Sequence, residues 1–357
     1  MIIPIDAQAA ISDLSRFDTI VDARSPSEYA EDRLPGAVNW PSLDDEERAN
    51  VGFEYTRVSP FTAKKHGAAI VARNVAAHID RHVVDKPPGW APLVYCWRGG
   101  KRSGALATVL DQIGFRVHVL EGGYQAFRRA VVVELEMLPA RFAWRVICGP
   151  TGSGKSRLLA AIARAGGQVL DLEAIANHRG SVLGLVPGSA QPSQKAFDTA
   201  LWHALRALDP ARPVFVESES KKIGELHVGE ALVQRMRTSP CVWLELPIEA
   251  RVALLIDEYD FFVADVNAFC ARLDALRTLR GNGVVEAWQQ AARSGEIAAV
   301  VRDLLDVHYD PIYHASLWRN FGGVDAPLAT LRWDGDPASL AAAAERAIAA
   351  AAFARPK

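Results

Sequence analysis

Few cysteines and the absence of long apolar runs limit the classes to which this 357-residue chain can belong. The four cysteines, Cys96, Cys148, Cys241 and Cys270, show no C-x-x-C spacing and no paired-histidine pattern. This spacing argues against a disulfide framework and against a structural zinc site. No apolar run reaches the length of a bilayer span, and the N-terminal MIIPIDAQAAISDL lacks the basic and apolar regions of a signal peptide. We therefore expect a cytoplasmic protein with reduced thiols and no membrane contact.

Net charge is also low. The formal charge is -2 at pH 7, half of the residues are apolar and 23% are charged. Composition therefore gives no overall attraction to nucleic acid, and any RNA contact must come from local basic patches. The length suits two domains, each large enough to bury its own core.

Short β-rich segments alternate with helical patterns along both halves of the chain, which predicts two α/β domains with parallel sheets. The first domain is expected at 1–135, with a helical insertion at about 43–92, and the second at 141–357 with a helical C-terminal part. The Ala-rich segment 338–355 reads as a packing helix. The segments that read as strands are 17–24, 93–96, 116–123, 142–149, 167–173, 212–220 and 241–247.

The stretch CWRGGKRSG places Cys96 between a buried strand and a helical pattern. Such a position lies at the carboxyl edge of a parallel sheet, where open α/β sheets bind ligands. The glycines allow backbone N–H groups to surround an anion, and Arg98, Lys101 and Arg102 add positive charge. The same field stabilises a thiolate, so Cys96 is predicted to be acidic and nucleophilic.

Two further segments resemble a rhodanese domain. VDARSPSEYAEDRLPGAVNWP, 21–41, resembles the N-terminal signature of that domain, and VLEGGYQAF, 119–127, resembles its closing segment. The resemblance implies transfer of a chalcogen atom through a persulfide, or its selenium counterpart, on Cys96. The spacing from Cys96 to Arg102 is C-x5-R, one residue longer than in simple rhodaneses and shared with dual-specificity phosphatases. A phosphatase and a transferase whose donor carries phosphate both remain open.

The helical insertion is long for a plain rhodanese domain. Several of its side chains are candidates for contact with a large substrate, although a solvated helical face is the simpler interpretation. These candidates are Arg48, Tyr55, Lys64, Lys65 and His66.

A second loop, GPTGSGKS, matches G-x-x-x-x-G-K-[ST] between an apolar strand and a helical pattern, the context that supports a phosphate-binding loop. Its backbone N–H groups are expected to hold a diphosphate, with the Lys155 ammonium neutralising charge and the Ser156 hydroxyl available to Mg²⁺. The predicted phosphate-binding residues are Gly149, Thr151, Gly152, Ser153, Gly154, Lys155 and Ser156.

Two carboxylates follow neighbouring predicted strands of this second domain. Asp171 and Glu217 occupy positions where a carboxylate positions Mg²⁺ or a water, and each is equally suited to capping a strand end. Further basic residues are candidate phosphate or RNA contacts, with ordinary surface charge as the simpler interpretation. These are the segment 176–181, Lys221, Lys222, Arg251, Arg272, Arg277 and Arg280.

The ordered set of segments resembles the tRNA 2-selenouridine synthase family over nearly the whole chain. The segments are CWRGGKRS, GPTGSGKS, DLEAIANHRGS, ESESKKIG and LPIEARVALLIDEY. The resemblance implies that selenium from selenophosphate replaces the 2-thio sulfur of a wobble uridine, through an S-geranyl intermediate made with geranyl diphosphate. It implies a tRNA partner, a selenophosphate-producing enzyme as a second partner, no tightly bound cofactor, and Mg²⁺ as the metal compatible with the loop.

Other functions remain open from the residues alone. An ATP-dependent sulfur carrier or sulfurtransferase would use the second loop for ATP. A nucleotide-gated binding module would leave the rhodanese fold without catalysis, and a C-x5-R phosphatase would act on phosphate esters. Cys96 and its cations argue against the binding module.

Overall fold

The computed structural model describes residues 1–179, 190–260 and 264–353, and the chain divides into two compact units. The first unit comprises Met1–Leu135 with Pro192–His203, and the second comprises Glu136–Gln191 with Ala204–Lys357. Each contains a five-stranded parallel sheet with helices. This arrangement confirms the predicted α/β fold class.

Parallel strands form the sheet of the first unit: β1 (Ile2–Ile5), β2 (Ile20–Asp22), β3 (Ala37–Asn39), β4 (Leu93–Tyr95) and β5 (Val117–Leu120). They lie in the order β1-β5-β4-β2-β3. The central strands β2 and β4 are buried at every residue, as expected for apolar strands covered on both faces. Because β4 ends at Tyr95, Cys96 lies at the carboxyl edge of the sheet.

The helices of the first unit within 1–135 begin with α1 and end with α6. A capping box formed by Ser25 and Glu28 starts α2, and Gly114 in the left-handed conformation ends α5. Their bounds are α1 (Ala7–Ser12), α2 (Pro26–Glu31), α3 (Asp45–Arg57), α4 (Pro60–His82), α5 (Lys101–Ile113) and α6 (Gly123–Met137), the last of which runs into the second unit.

The insertion is helical, as predicted, and consists of α3 and α4. Asp44 caps α3 in a capping box with Glu47, and Ser59 caps α4 directly before Pro60. Proline suits the first position of a helix because its missing N–H would have no partner there. The two helices therefore form a hairpin joined by Val58 and Ser59.

The segment Pro192–His203 differs from the sequence-based boundaries, which place it in the second domain. Thr199 Oγ1 donates a hydrogen bond to Asp32, and Asp198 forms an ion pair with Arg128 at 2.9 Å. The indole of Trp202 donates to Glu134. These partners, distant in sequence, bring the segment into the first unit.

The sheet of the second unit has the order β12-β11-β6-β8-β7, with all neighbours parallel, and a separate antiparallel ribbon joins β9 and β10. Every predicted strand of this half is confirmed. The bounds are β6 (Trp144–Cys148), β7 (Gln168–Leu170), β8 (Val214–Glu217), β9 (Lys222–Ile223), β10 (Leu226–His227), β11 (Cys241–Glu245) and β12 (Ala329–Arg332).

Helices cover this sheet and make up most of the chain after β11. The Ala-rich α17 packs Ala343, Ala344 and Ala347 into the core, as predicted. No helix of the described ranges is both long and apolar enough to cross a membrane. The bounds are α7 (Lys155–Arg164), α8 (Leu172–Ala176), α9 (Gln194–Arg206), α10 (Glu230–Thr238), α11 (Ile248–Glu258), α12 (Val266–Leu273), α13 (Arg277–Arg280), α14 (Asn282–Arg293), α15 (Ile297–Asp303), α16 (Asp310–Asn320) and α17 (Pro337–Phe353), with a π-helical turn at Leu304–Tyr309.

Candidate active site

The Cys96 thiol is buried at the end of β4 and receives two hydrogen bonds from the loop that follows it. The N–H of Gly100 lies 3.3 Å from Sγ and the hydroxyl of Ser103 lies 3.1 Å from it. Gly99 has a φ of 66°, which L-residues rarely adopt, and a Cβ there would lie 2.6 Å from the carbonyl oxygen of Leu120. The glycine is therefore required for the loop to curl around sulfur.

These contacts change the acidity of the thiol. Burial alone would raise the pKa of Cys96, but the hydrogen bonds from Ser103 and Gly100 and the charge of Arg102 outweigh it and lower the pKa below its usual value. Arg102 lies in the first turn of α5, and the partial positive charge at the N-terminus of this helix also stabilises the thiolate. The predicted acidic thiol is thus supported by the geometry of its loop.

The three predicted cations, Arg98, Lys101 and Arg102, differ in their surroundings. Arg98 and Lys101 are exposed, whereas the guanidinium of Arg102 pairs with the buried Glu28 at 2.7 Å. Glu28 also pairs with Arg48 at 3.3 Å, and these charges lower its pKa although burial would raise it. Ser103 was not predicted from the sequence, and Glu28 was part of the rhodanese-like segment 21–41 without a role at the Cys96 loop, because only the folded structure shows what these two residues contact.

We expect Ser103→Ala to raise the pKa of Cys96, because the substitution removes a donor that stabilises the thiolate. The rate of alkylation by iodoacetamide would then fall severalfold at neutral pH, and its midpoint would move to higher pH. Ser42→Ala is the matched control, since Ser42 Oγ bonds to the carbonyl of Arg102 and not to sulfur. An unchanged midpoint in Ser103→Ala would show that the hydroxyl does not govern thiol acidity.

The second predicted loop connects β6 to α7 in the conformation of a phosphate-binding loop. Gly152 and Gly154 have φ values of 73° and 85°. At Gly154 a Cβ would lie 2.5 Å from the ring of Trp333, whose indole donates to the carbonyl of Ser153. As at other helix N-termini, the first N–H groups of α7 are available to bind an anion.

Lys155 is held over this loop. Its Nζ lies 3.3 Å from the carbonyl oxygen of Gly149 and 4.9 Å from the ring centroid of Tyr313. Burial would lower the pKa of Lys155, but Tyr313 and the carboxylates Glu217, Glu219 and Glu173 raise it. The ammonium is therefore charged and faces a site that can receive an anion.

Arg251, predicted as a candidate phosphate contact, instead contacts the backbone of the phosphate-binding loop. Its guanidinium is buried, pairs with both carboxylate oxygens of Asp310, and donates through Nε to the carbonyl of Thr151 at 2.9 Å. A bidentate arginine pair of this kind fixes orientation as well as charge. Arg251 thus positions the loop rather than the anion.

Three carboxylates, Glu173, Glu217 and Glu219, bring their oxygens within 4.8 Å of one another beside the loop. Burial raises the pKa of Glu217, and the neighbouring carboxylates raise it further. Asp171 is not in this group, because its side chain caps α8 by accepting the N–H of Ala174 at 2.8 Å. Of the two carboxylates predicted from sequence, Glu217 therefore lies at the site, while Glu173 takes the position expected of Asp171.

The same group suits a hard divalent cation. Glu217 Oε1 is buried without a hydrogen-bond partner among the described residues, and Ser156 Oγ donates to Glu173 at 3.0 Å. Carboxylate and hydroxyl oxygens are the ligands that Mg²⁺ prefers, together with substrate phosphates. Among the parts of the chain that are described, this is the one cluster of three or more potential metal ligands.

A cavity of about 630 Å³ opens directly from the phosphate-binding loop. Thr151, Lys155 and Ser156 line one part together with the three carboxylates, and Arg179 and Arg237 add positive charge. The rest is largely apolar and comes from helices after α10. Members of this apolar wall include Leu255, Val301, Leu304, Leu305, Ile312 and Leu317.

The remaining basic candidates lie in ordinary ion pairs or on the surface. Lys221 pairs with Glu230 and Lys222 with Glu225. Within 176–181, Arg179 lines the cavity, while Gly180 and Ser181 lie outside the described residues. The helical set is similar: Arg272 is exposed, Arg277 pairs with Asp274 and Glu286, and Arg280 donates to His308.

Two family models match separate parts of the chain. The model described as a rhodanese-like domain matches residues 6–130, and the model described as the tRNA 2-selenouridine synthase AAA domain matches residues 142–277. The first match contains Cys96 and its loop, and the second contains Lys155 and the three carboxylates.

Curated relatives named tRNA 2-selenouridine synthase match over most of the chain. The protein of Alcanivorax borkumensis is 31% identical, with 85% of this chain and 91% of the relative covered. The protein of Nitrosomonas europaea is 36% identical over 67% of this chain, and that of Cupriavidus necator is 37% identical over 67%. The match spans only 63% and 65% of these last two relatives.

Proposed function

Because the chain belongs to the tRNA 2-selenouridine synthase family, we propose that it is a transferase that replaces sulfur by selenium in the wobble 2-thiouridine of tRNA. We further propose that it works in two steps, with geranyl diphosphate as the first co-substrate and selenophosphate as the second. The phosphate-binding loop carries out the first step and the Cys96 loop the second.

The observation that carries this proposal is the apolar cavity at the phosphate-binding loop. A ligand that fills both parts has a diphosphate at one end and a hydrocarbon chain at the other. The volume of about 630 Å³ is in the usual range for small-molecule pockets, and mostly apolar walls favour a chain without polar groups. A prenyl diphosphate has this form, and geranyl diphosphate is the one that family resemblance implies.

In the first step, the thiouridine sulfur attacks the allylic carbon of geranyl diphosphate. A carbon–sulfur bond forms, the carbon–oxygen bond breaks, and diphosphate leaves with the electron pair while the N3 proton of the base goes to solvent. Lys155 and the N–H groups at the start of α7 stabilise the charge that develops on diphosphate. The apolar wall excludes water, which would otherwise hydrolyse the allylic substrate.

Mg²⁺ fits beside the loop, where Glu217, Glu173, Glu219 and Ser156 would hold it. When bound, it would neutralise charge on the diphosphate. Arg251 keeps the loop in position through Asp310, independently of any ion.

In the second step, selenium of selenophosphate attacks C2 of the geranylated base. The carbon–selenium bond forms, the C2–sulfur bond breaks, and geranyl thiolate leaves with the electron pair and takes a proton from solvent. The Cys96 thiolate then attacks phosphorus, the phosphorus–selenium bond breaks, and selenium keeps the electron pair as 2-selenouridine. Water releases phosphate from the cysteine. The lowered pKa of Cys96 and the hydrogen bond from the N–H of Gly100 favour the thiolate as nucleophile. Arg98 and Lys101 attract the selenophosphate anion. A selenophosphate-producing enzyme would supply this co-substrate.

Two alternatives use the same loops differently. An ATP-dependent sulfur carrier would hydrolyse ATP at Lys155, but the apolar wall offers little to a ribose or a base. A C-x5-R phosphatase would act on free phosphate esters at Cys96. Both would leave the apolar cavity without a role.

The test is mass spectrometry of nucleosides from 2-thiouridine tRNA incubated with the protein. Geranyl diphosphate alone should yield geranylated thiouridine, and only the two reagents together should yield selenouridine. Consumption of ATP without either product would favour the sulfur carrier, and hydrolysis of an aryl phosphate without either product would favour the phosphatase.

A further inference from the structure

The tip of the α3–α4 hairpin, residues 53–65, exposes an unusual group of apolar side chains. Phe53 is 64% exposed, Tyr55 49%, Val58 68% and Phe61 70%. Single exposed apolar residues are common, but four of them within the nine residues 53–61 indicate an interaction surface. Among the described residues of the first unit, the large exposed aromatic side chains are Phe53, Tyr55 and Phe61.

Contacts between α3 and α4 join the two helices of the hairpin near its tip. Glu54 and the ring of His66 are 2.9 Å apart across the two helices. At Gly67, a Cβ would lie 3.2 Å from Val51, so the absence of a side chain allows close helix packing. The two helices thus pack closely against each other near the tip, and the three rings remain exposed.

Positive charge is interleaved with the rings. Arg57, Lys64 and Lys65 lie within the tip, and the single acidic residue, Glu54, is engaged by His66. The ammonium of Lys65 lies 5.1 Å from the ring centroid of Phe61. Aromatic rings beside cations are the combination that binds unpaired nucleotides, with bases stacked on the rings and phosphates held by the cations.

The base of the hairpin lies at the Cys96 loop. Glu28 contacts both Arg48 of α3 and Arg102 of α5, and Ser42 donates to the carbonyl of Arg102. From Arg48, α3 runs to Phe53 and Arg57 and, at 1.5 Å per residue, carries these tip residues about 8–14 Å from this point. A polynucleotide with one base at Cys96 can therefore reach the tip without leaving the first unit.

We propose that the hairpin tip binds unpaired nucleotides of the substrate tRNA, by stacking on Phe53, Tyr55 and Phe61 and by phosphate contacts to Arg57, Lys64 and Lys65. This inference rests on the proposed function, which supplies the RNA. The tip thereby adds a local basic patch that the overall charge of -2 does not reveal. Stacking tolerates any base, so the tip contributes affinity and orientation rather than sequence specificity.

The experiment measures binding of fluorescein-labelled 2-thiouridine tRNA by anisotropy at several salt concentrations. The double variant Phe53→Ala/Phe61→Ala is expected to bind at least about tenfold more weakly. Phe53→Leu/Phe61→Leu should lose nearly as much, since it keeps apolar area but not a flat ring, and Phe53→Trp/Phe61→Trp should retain binding. Replacing Arg57, Lys64 and Lys65 by alanine should reduce the slope of log K against log salt by about 2.

Arg81→Ala is the matched control, because Arg81 is exposed on the same helix at the end away from the tip, and it should leave affinity unchanged. Geranyl diphosphate binding should be unaffected in every variant. Normal tRNA affinity in the alanine variants, while the wild type converts tRNA, would overturn this inference alone. The inference would also be overturned if the alanine variants kept normal tRNA affinity but lost a concentration-dependent dimer that the wild type forms. The tip would then be a self-association surface. Failure of the wild-type protein to bind tRNA would overturn the proposed function as well.

Discussion

Lys155→Ala is expected to reduce geranylation of 2-thiouridine tRNA by about 10²- to 10³-fold, the loss typical when one preorganised charge at a developing anion is removed. The ammonium lies 3.3 Å from the carbonyl oxygen of Gly149, at the mouth of the apolar cavity. Without it, the loop retains its N–H groups but loses the full charge that faces the leaving diphosphate. The measurement is the initial rate of S-geranyl-2-thiouridine formation by nucleoside mass spectrometry.

Lys221→Ala provides the control for this loss, since Lys221 lies in the same unit and pairs with Glu230 on the surface. It should geranylate at the wild-type rate. Selenation of tRNA that has already been geranylated should persist in Lys155→Ala, because that step uses the Cys96 loop. Undiminished geranylation in Lys155→Ala, together with lost ATP hydrolysis, would instead assign the loop to ATP.

Sequence reasoning predicted those parts of the fold that have a local signal. The strand ending at Tyr95 is a continuous apolar run, and the strand ending at Cys148 is apolar except for Arg145. Each is followed by a glycine-containing loop, and both strands were found as expected. The edge strands β1 and β3 were not predicted. β1 contains Pro4 and is only partly buried, and in β3 only Ala37 is buried, so neither carries a clear apolar pattern.

The site shows the same division between local and distant signals. The glycines, Lys155 and Cys96 follow from motifs in which neighbouring residues act together. Glu219 lies two residues from Glu217 in the sequence, but Glu173 joins them only through the fold. Asp171 was a reasonable but weaker choice, because capping and ligation use the same carboxylate position. The apolar wall combines side chains from several helices after β11, and the sequence of no single helix among them predicts a pocket.

Cys96→Ser is expected to abolish formation of 2-selenouridine, by on the order of 10³-fold or more, while leaving geranylation nearly intact. Serine keeps the size of the side chain and the contacts of Ser103 and Gly100, but its hydroxyl is not ionised near neutral pH. Geranylated thiouridine should therefore accumulate when both reagents are present, and nucleoside mass spectrometry would detect it.

Cys270→Ala is the control for this substitution, because Cys270 is buried among apolar residues of the C-terminal helices and has no place in either step. Loss of both geranylation and selenation in Cys96→Ser would defeat the division of labour between the loops, provided that the variant binds tRNA normally. Retained selenation would reduce the cysteine loop to an anion-binding element. If only the geranylated base accumulates, the thiol is needed after geranyl transfer. This is the result expected if Cys96 takes the phosphoryl group from selenium.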